Sequence, residues 1–164
     1  MRNHSMTLAG ATVVIECKDG FSKTHYRKGQ AGASRGQPPR ELAAAVSLIE
    51  EFIAGRRVAP AAIVRLLPVS PPFHAACWRA SLKIPHGETR TYQWLAAAAG
   101  RPKAHRGAAA AMAKNPLAPL VPCHRVVSVN GLGGFCGAMA KPSDQSPTHW
   151  ALAMKVRMIE AERK

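Results

Sequence analysis

Apolar residues change spacing along this chain, and each change predicts an element. Residues 11–17, Ala-Thr-Val-Val-Ile-Glu-Cys, are β-branched and apolar and predict a strand. Asp19-Gly20 reads as a turn, and Phe21 to Arg27 pairs back as a second strand. The Gly-, Pro- and Arg-rich stretch 28–40 reads as loop. From Glu41 to Ala54, Leu42, Val46, Ile49 and Ile53 recur at helical spacing, and Gly55 ends the helix. Pro68-Val69-Ser70-Pro71-Pro72 is the natural linker. Beyond it the pattern is mostly helical, starting with Phe73–Leu82 and a turn at Ile84-Pro85-His86-Gly87. Thr91 caps a helix over Tyr92–Ala98, with Gly100 at its end. Pro102 opens the next helix, which runs to Lys114 and stops at Asn115-Pro116. These two helices, joined by a short turn, form a helix-turn-helix pattern. Val126–Phe135, broken by Asn130-Gly131, predicts a small hairpin or wing, and Ser146-Pro147 starts a last helix ending near Arg163. The expected fold is α+β: a small N-terminal α/β domain with a short antiparallel sheet over 1–68, then a mostly helical C-terminal domain over 72–164 with a winged helix-turn-helix.

Charge narrows the function. The formal net charge is +14, and no Asp or Glu occurs between Glu88 and Asp144. That stretch carries Arg90, Arg101, Lys103, Arg106, Lys114, Arg125 and Lys141 instead. A field of one sign points to a polyanion, with nucleic acid favoured over a membrane surface. No apolar run approaches the roughly 18 residues of a membrane span, and no signal-peptide core is visible. The cysteines, at 17, 77, 123 and 136, have no CxxC spacing, which argues against a zinc knuckle or a disulfide framework. His4, Cys17 and His25 have ligand chemistry, but nothing in their spacing demands a metal, so no metal and no cofactor are expected.

The run Val121-Pro122-Cys123-His124-Arg125-Val126-Val127 is the chemical centre of the sequence. Pro122 stiffens the approach to the sulfur. His124 offers a base or a cation beside it, and Arg125 adds fixed charge. Thiolate is the nucleophile, so Cys123 is a candidate for covalent chemistry. The Ala-rich segment after Arg106 has almost no side-chain bulk. Small side chains there, Ala108 and Ala109 among them, let a helix backbone come close to DNA even in a narrow minor groove. One Arg projecting from such a face can reach into the base stack. Lys103, Lys114 and Arg125 supply positive charge around it.

These residues resemble the O6-alkylguanine-DNA alkyltransferases, also called methylated-DNA–protein-cysteine methyltransferases. The landmarks are Trp78, Ile84-Pro85-x-Gly87, Thr91-Tyr92-x-x-Leu95-Ala96, Gly100-x-Pro102, Arg106, Asn115-Pro116, Pro122-Cys123-His124-Arg125-Val126 and Gly131-x-Gly133-Gly134-Phe135. The resemblance is close over roughly 71–138 and looser over the last helix, where Lys155, Met158, Ile159 and Glu162 keep the family's spacing. It implies a DNA repair protein that flips an alkylated guanine out of duplex DNA. The alkyl group then passes irreversibly to Cys123, once per molecule. By the same resemblance Arg106 fills the vacated stack, and Tyr92 pushes on the lesion's phosphate and helps activate the base. His124 deprotonates Cys123 through a water, Glu162 orients His124, and Asn115 braces the turn. Trp78, Val126, Phe135, Cys136 and Lys155 are the residues implied around the alkyl pocket. The implied partner is double-stranded DNA carrying O6-alkylguanine, bound through the minor groove by a monomer. The implied location is the cytoplasm, at the nucleoid in a prokaryote, or the nucleus in a eukaryote.

Three departures stand out: extra residues over 138–147, Phe135 where a Tyr is common, and Gly107 where Ala is usual. Gly107 is expected to loosen its helix turn slightly. Cys136 is expected to lie near Cys123. Other readings remain at this level: a non-catalytic lesion-binding protein of the alkyltransferase-like kind, a Cys-His hydrolase, or a plain winged-helix regulator. Cys123 argues against the first; the net charge, the helix-turn-helix and the lack of an evident oxyanion hole count against the second; the Pro-Cys-His-Arg turn is left unexplained by the third.

Overall fold

The computed structural model describes residues 3–18, 21–29, 34, 36–69, 71–135, 138–139 and 149–164. Asp19-Gly20, Cys136 and Ser146-Pro147 lie outside the described residues, and with them the predicted turn, the second thiol and the predicted helix start. The chain divides into two compact units, Met1–Pro68 with Pro116–Val121, and Val69–Asn115 with Pro122–Lys164.

The first unit is built on an antiparallel sheet of β1 (Asn3–Leu8), β2 (Ala11–Lys18) and β3 (Phe21–Lys28), in that order. β2 is central, and its run Val13, Val14, Ile15 is buried on both faces. β1 escapes prediction from sequence because its apolar residues are few. It shows only alternation, with His4 and Met6 buried opposite Ile15 and Val13. Helix α1 (Ala43–Ile53), entered through a 3-10 turn at Arg40–Leu42, buries Leu42, Val46 and Ile49. Ile53, the last member of the predicted stripe, stays exposed. A short α2 (Pro60–Val64) follows. The outer edge of β3 is not bare: the Thr24 N–H donates to the Pro116 carbonyl at 2.7 Å. That bond ties the 116–121 stretch to the edge strand.

The second unit contains α3 (Pro72–Ser81), β4 (Arg90–Thr91), α4 (Tyr92–Ala98), α5 (His105–Ala113), β5 (Val126–Val127), β6 (Gly134–Phe135), β7 (Ala138–Met139) and α6 (Trp150–Glu162). Thr91 caps α4 as expected, its Oγ1 accepting from the Trp94 N–H at 3.1 Å. Trp78 is buried and donates its indole N–H to the Ala111 carbonyl at 2.9 Å, pinning α3 to α5.

Two predicted elements need correction. Helix α5 starts at His105, not at Pro102. The Ala104 N–H reaches back to the Arg101 carbonyl at 2.9 Å, so 101–104 is a turn. Proline suits position i+1 of such a turn as well as it suits a helix start. The predicted Val126–Phe135 hairpin does not form either. Val126–Val127 pairs in parallel with Arg90–Thr91, and Gly134–Phe135 pairs with Ala138–Met139. Asn130-Gly131 closes only a bridge between Ser128 and Gly131. A local turn signal is visible in sequence, whereas a parallel partner far upstream is not. No helix among the described residues is long and apolar enough to cross a membrane.

Candidate active site

Cys123, His124 and Arg125 form one 3-10 turn immediately after Pro122. The Arg125 N–H closes it on the Pro122 carbonyl at 3.0 Å. Cys123 and His124 are both buried, and the end of α6 delivers Glu162 to them. His124 Nε2 lies 2.8 Å from Glu162 Oε1. A carboxylate only accepts, so Nε2 holds the proton and Nδ1 keeps the lone pair.

Glu162 is gripped from several sides. Arg125 Nε donates to Oε2 at 2.8 Å and Nη2 to Oε1 at 2.9 Å, a bidentate pair. The third nitrogen of the same fork donates to the Ile84 carbonyl at 2.9 Å. The Gly87 N–H adds a bond to Oε2 at 3.2 Å. Gly87 has φ +80°, and a Cβ there would sit 2.8 Å from the Glu162 carbonyl oxygen. Only glycine fits that conformation and clearance, which explains Ile84-Pro85-x-Gly87 in terms of the carboxylate. His86 stands 4.0 Å from Oε1, half exposed. Glu160, the competing carboxylate, is exposed.

These contacts set the resting protonation. Burial works to raise the Glu162 pKa, but hydrogen bonds and charge from His124 and Arg125 outweigh it and hold the carboxyl well below the usual carboxylate range. Burial lowers the His124 pKa against the pull of Glu162. Burial raises the Cys123 thiol, opposed by a hydrogen bond from Asn115, the charge of Lys155 and backbone donors. The resting site therefore holds a thiol, a neutral imidazole and a carboxylate.

Tyr92, at the start of α4, donates its hydroxyl to the Gly134 carbonyl at 3.3 Å. Its pKa is pushed up to about 12, by burial first and by the neighbouring Cys123 second. Gly133 leaves room for the ring: a Cβ there would meet Tyr92 Cε2 at 3.1 Å. Lys155 of α6 is fully buried, and its ammonium donates to the carbonyls of Val126 at 2.7 Å, Leu132 at 2.8 Å and Gly134 at 3.2 Å. It thus staples the end of the Cys123 turn to the segment holding Phe135, whose ring lies 5.9 Å from Nζ.

The sequence-predicted residues fall into three groups. Cys123, His124, Glu162, Tyr92, Asn115, Lys155, Val126 and Phe135 come together here, while Trp78 sits in the core between α3 and α5. On α5 and its flanks Lys103, Arg106 and Lys114 are exposed. Two assignments to DNA contact change. Ala108 is fully buried, and the small residues facing outward are Ala110 and Ala113, with Ala109 half buried. Arg125 faces inward, all three guanidinium nitrogens committed to Glu162 and Ile84. Its role as a carboxylate clamp is invisible in sequence, where it is one more cation in an acid-free stretch. Among the described residues, no cluster of His, Cys, Asp or Glu is placed to hold a metal ion.

Residues 72–164 match the family described as the 6-O-methylguanine DNA methyltransferase DNA-binding domain. A methylated-DNA–protein-cysteine methyltransferase of Mycolicibacterium paratuberculosis is 34% identical over 135 residues, covering 82% of this chain and 79% of that protein. The constitutive one of Bacillus subtilis is 41% identical over 101 residues, covering 59% and 58%. A probable one of Acanthamoeba polyphaga mimivirus is 53% identical over 64 residues, covering 39% of this chain and 43% of that protein. For the mimivirus protein and a Methanosarcina barkeri one, the match spans about half of the relative's own length. The fold resembles the crystal structure of Mycobacterium tuberculosis O6-methylguanine methyltransferase, with TM-score 0.64, 22% identity, and 99% and 93% of the two chains covered. It also resembles the OGT protein of M. tuberculosis in complex with DNA, with TM-score 0.60, 24% identity, and coverage of 97% and 91%. A cysteine turn seated on a buried His–Glu pair, matched over the whole C-terminal unit, leads to one conclusion: this chain belongs to the methylated-DNA–protein-cysteine methyltransferase family.

Proposed function

We propose that this chain repairs DNA by taking the alkyl group of O6-alkylguanine onto Cys123, once per molecule. The observation that carries this reading is the buried pair of His124 and Glu162, 2.8 Å apart, adjoining the nucleophile. The sulfur attacks the alkyl carbon, the S–C bond forms, and the C–O6 bond breaks. Guanine leaves with the bonding electrons. The thiol proton passes through a water to His124 Nδ1, and an equivalent proton completes the released guanine, so none is gained or lost overall. Glu162 stabilises the imidazolium that forms on the way. Tyr92 and Asn115 bound the reacting atoms. A thioether does not hydrolyse, hence the single turnover.

The substrate is double-stranded DNA with its lesion flipped out, approached by a monomer from the minor groove. The smooth outer face of α5, with Ala109, Ala110 and Ala113, lies against the groove, and Lys103 and Lys114 meet phosphates. The site of action is wherever the cell keeps its DNA. A duplex holding one O6-methylguanine should add a single methyl to the intact protein, mapped to the Cys123 peptide. Cys123→Ser should gain none. More than one methyl transferred per protein molecule sinks the reading.

Arg106 is the proposed occupant of the vacated stack. Arg106→Ala should therefore slow repair in duplex DNA by roughly ten- to a hundredfold, the scale of a few kcal/mol of unstacking. Reaction with the free base should be spared, because nothing is flipped. Equal losses on both substrates would remove the finger role.

A further inference from the structure

Phe73, Gly107 and Arg101 fit together in a way that their letters in the sequence do not suggest. The guanidinium carbon of Arg101 lies 5.2 Å from the centroid of the Phe73 ring, within cation–π range. Phe73 in turn lies against α5, where a Cβ on Gly107 would meet its Cε1 at 3.0 Å. Gly107 therefore has a steric role beside Phe73. It is the clearance that seats the ring. The turn closed by the Ala104 N–H on the Arg101 carbonyl fixes the backbone from which the arginine projects. Arg101 is exposed, two residues before Lys103 and five before Arg106, and no carboxylate among the described residues pairs with it.

We propose that Arg101 is a pre-positioned anchor for a DNA backbone phosphate beside the α5 face, with Phe73 and Gly107 as its positioning residues. A guanidinium held over a ring by its charge keeps N–H donors available, and their fork matches a pair of phosphate oxygens. A long side chain loses rotamer freedom when it binds. An aromatic seat removes part of that freedom before DNA arrives. Lys103 and Arg106 have no such seat among the described residues, so Arg101 sets the register from which Arg106 inserts. This inference rests on the DNA-repair reading and adds a contact to it.

The test uses the full chain, with competent molecules counted by alkyl uptake from free O6-benzylguanine. Binding to a short fluorescent duplex is followed by anisotropy over a salt series. Arg101→Gln should bind about tenfold more weakly at low salt, and its plot of log K against log salt should flatten by about 0.9. Phe73→Leu and Gly107→Ala should each weaken binding about threefold with the slope unchanged. Neither should weaken it further once Arg101 is Gln. A slope for Arg101→Gln equal to that of the parent overturns the phosphate contact. Phe73→Leu acting equally with and without Arg101 overturns the seat. Absent alkyl uptake in a parent protein that still binds DNA refutes the repair reading instead, and is distinguishable from both.

Discussion

Glu162→Ala should slow alkyl transfer by two to four orders of magnitude, the usual worth of an oriented general base. It should also cost the fold about 3–5 kcal/mol, as removal of one partner from a buried ion pair does. Both effects come from one carboxylate that holds the His124 N–H, two nitrogens of Arg125 and the Gly87 N–H. Without it the His124 tautomer is no longer fixed and the largely enclosed Arg125 guanidinium loses its counter-charge. Glu162→Gln preserves volume and isolates the charge. Its amide can still accept one of these bonds, so its loss of stability should be smaller, while the rate falls nearly as far. Acid separates the two roles. The folded-state pKa of Glu162 is depressed below the ordinary value. Its stabilisation is therefore complete above the unfolded value of about 4.3. It drains away as pH falls below that point, by up to about 1.4 kcal/mol per pH unit for one proton. The Gln variant should lack this component, so urea midpoints measured from pH 6 down to pH 3 should fall less steeply. A Glu162→Ala protein that reacts at the parent rate would falsify the relay.

Lys155→Met should lower the melting temperature by roughly 10 °C. Three carbonyls lose this donor: that of Gly134 keeps the Tyr92 hydroxyl, and those of Val126 and Leu132 are each left at a cost of about 1–3 kcal/mol less whatever water recovers. A chain of this length loses about 2–4 °C per kcal/mol. The methionine keeps the apolar stem and removes only the ammonium, so packing is a minor part of the change. Lys155→Arg should not rescue. A planar fork does not occupy a compact site built on three carbonyls from Val126, Leu132 and Gly134. The same charge is among the influences holding the Cys123 pKa down against burial. Its removal should push that pKa higher and slow reaction of Cys123 with iodoacetamide at neutral pH. A Met variant melting within about 2 °C of the parent would show that water satisfies the three carbonyls, and the staple would lose its importance.

Several features are legible in the amino-acid sequence alone. The stripe Leu42, Val46, Ile49 announces α1, and Thr91 announces the start of α4, because helix spacing and caps are local. Cys123 and His124 are legible as a candidate pair because thiol and imidazole are adjacent in the chain. Glu162 is reached only through the family resemblance, whose spacing Lys155, Met158, Ile159 and Glu162 keep; helix geometry adds that Lys155 and Glu162 share one face. The mismatches are equally local in origin. Pro102 is consistent with a turn or a helix start, and Asn130-Gly131 with a hairpin that never closes beyond one bridge.

Residue chemistry and local pattern set out an adjacent thiol and imidazole, an acid-free stretch and a mixed α+β content before any fold is known. Residue types and short-range spacing carry that information. The fold supplies how the thiol is held. It turned Arg125 from a surface cation into a clamp on Glu162. It paired β5 in parallel with β4, and gave Gly87, Gly133 and Gly107 their partners. It also closed three backbone carbonyls around Lys155. The physical reason is common to all of these. Each depends on a contact or a clearance between segments far apart in the chain, and most involve a main-chain group. Neither a carbonyl oxygen nor an empty space has a letter in the sequence.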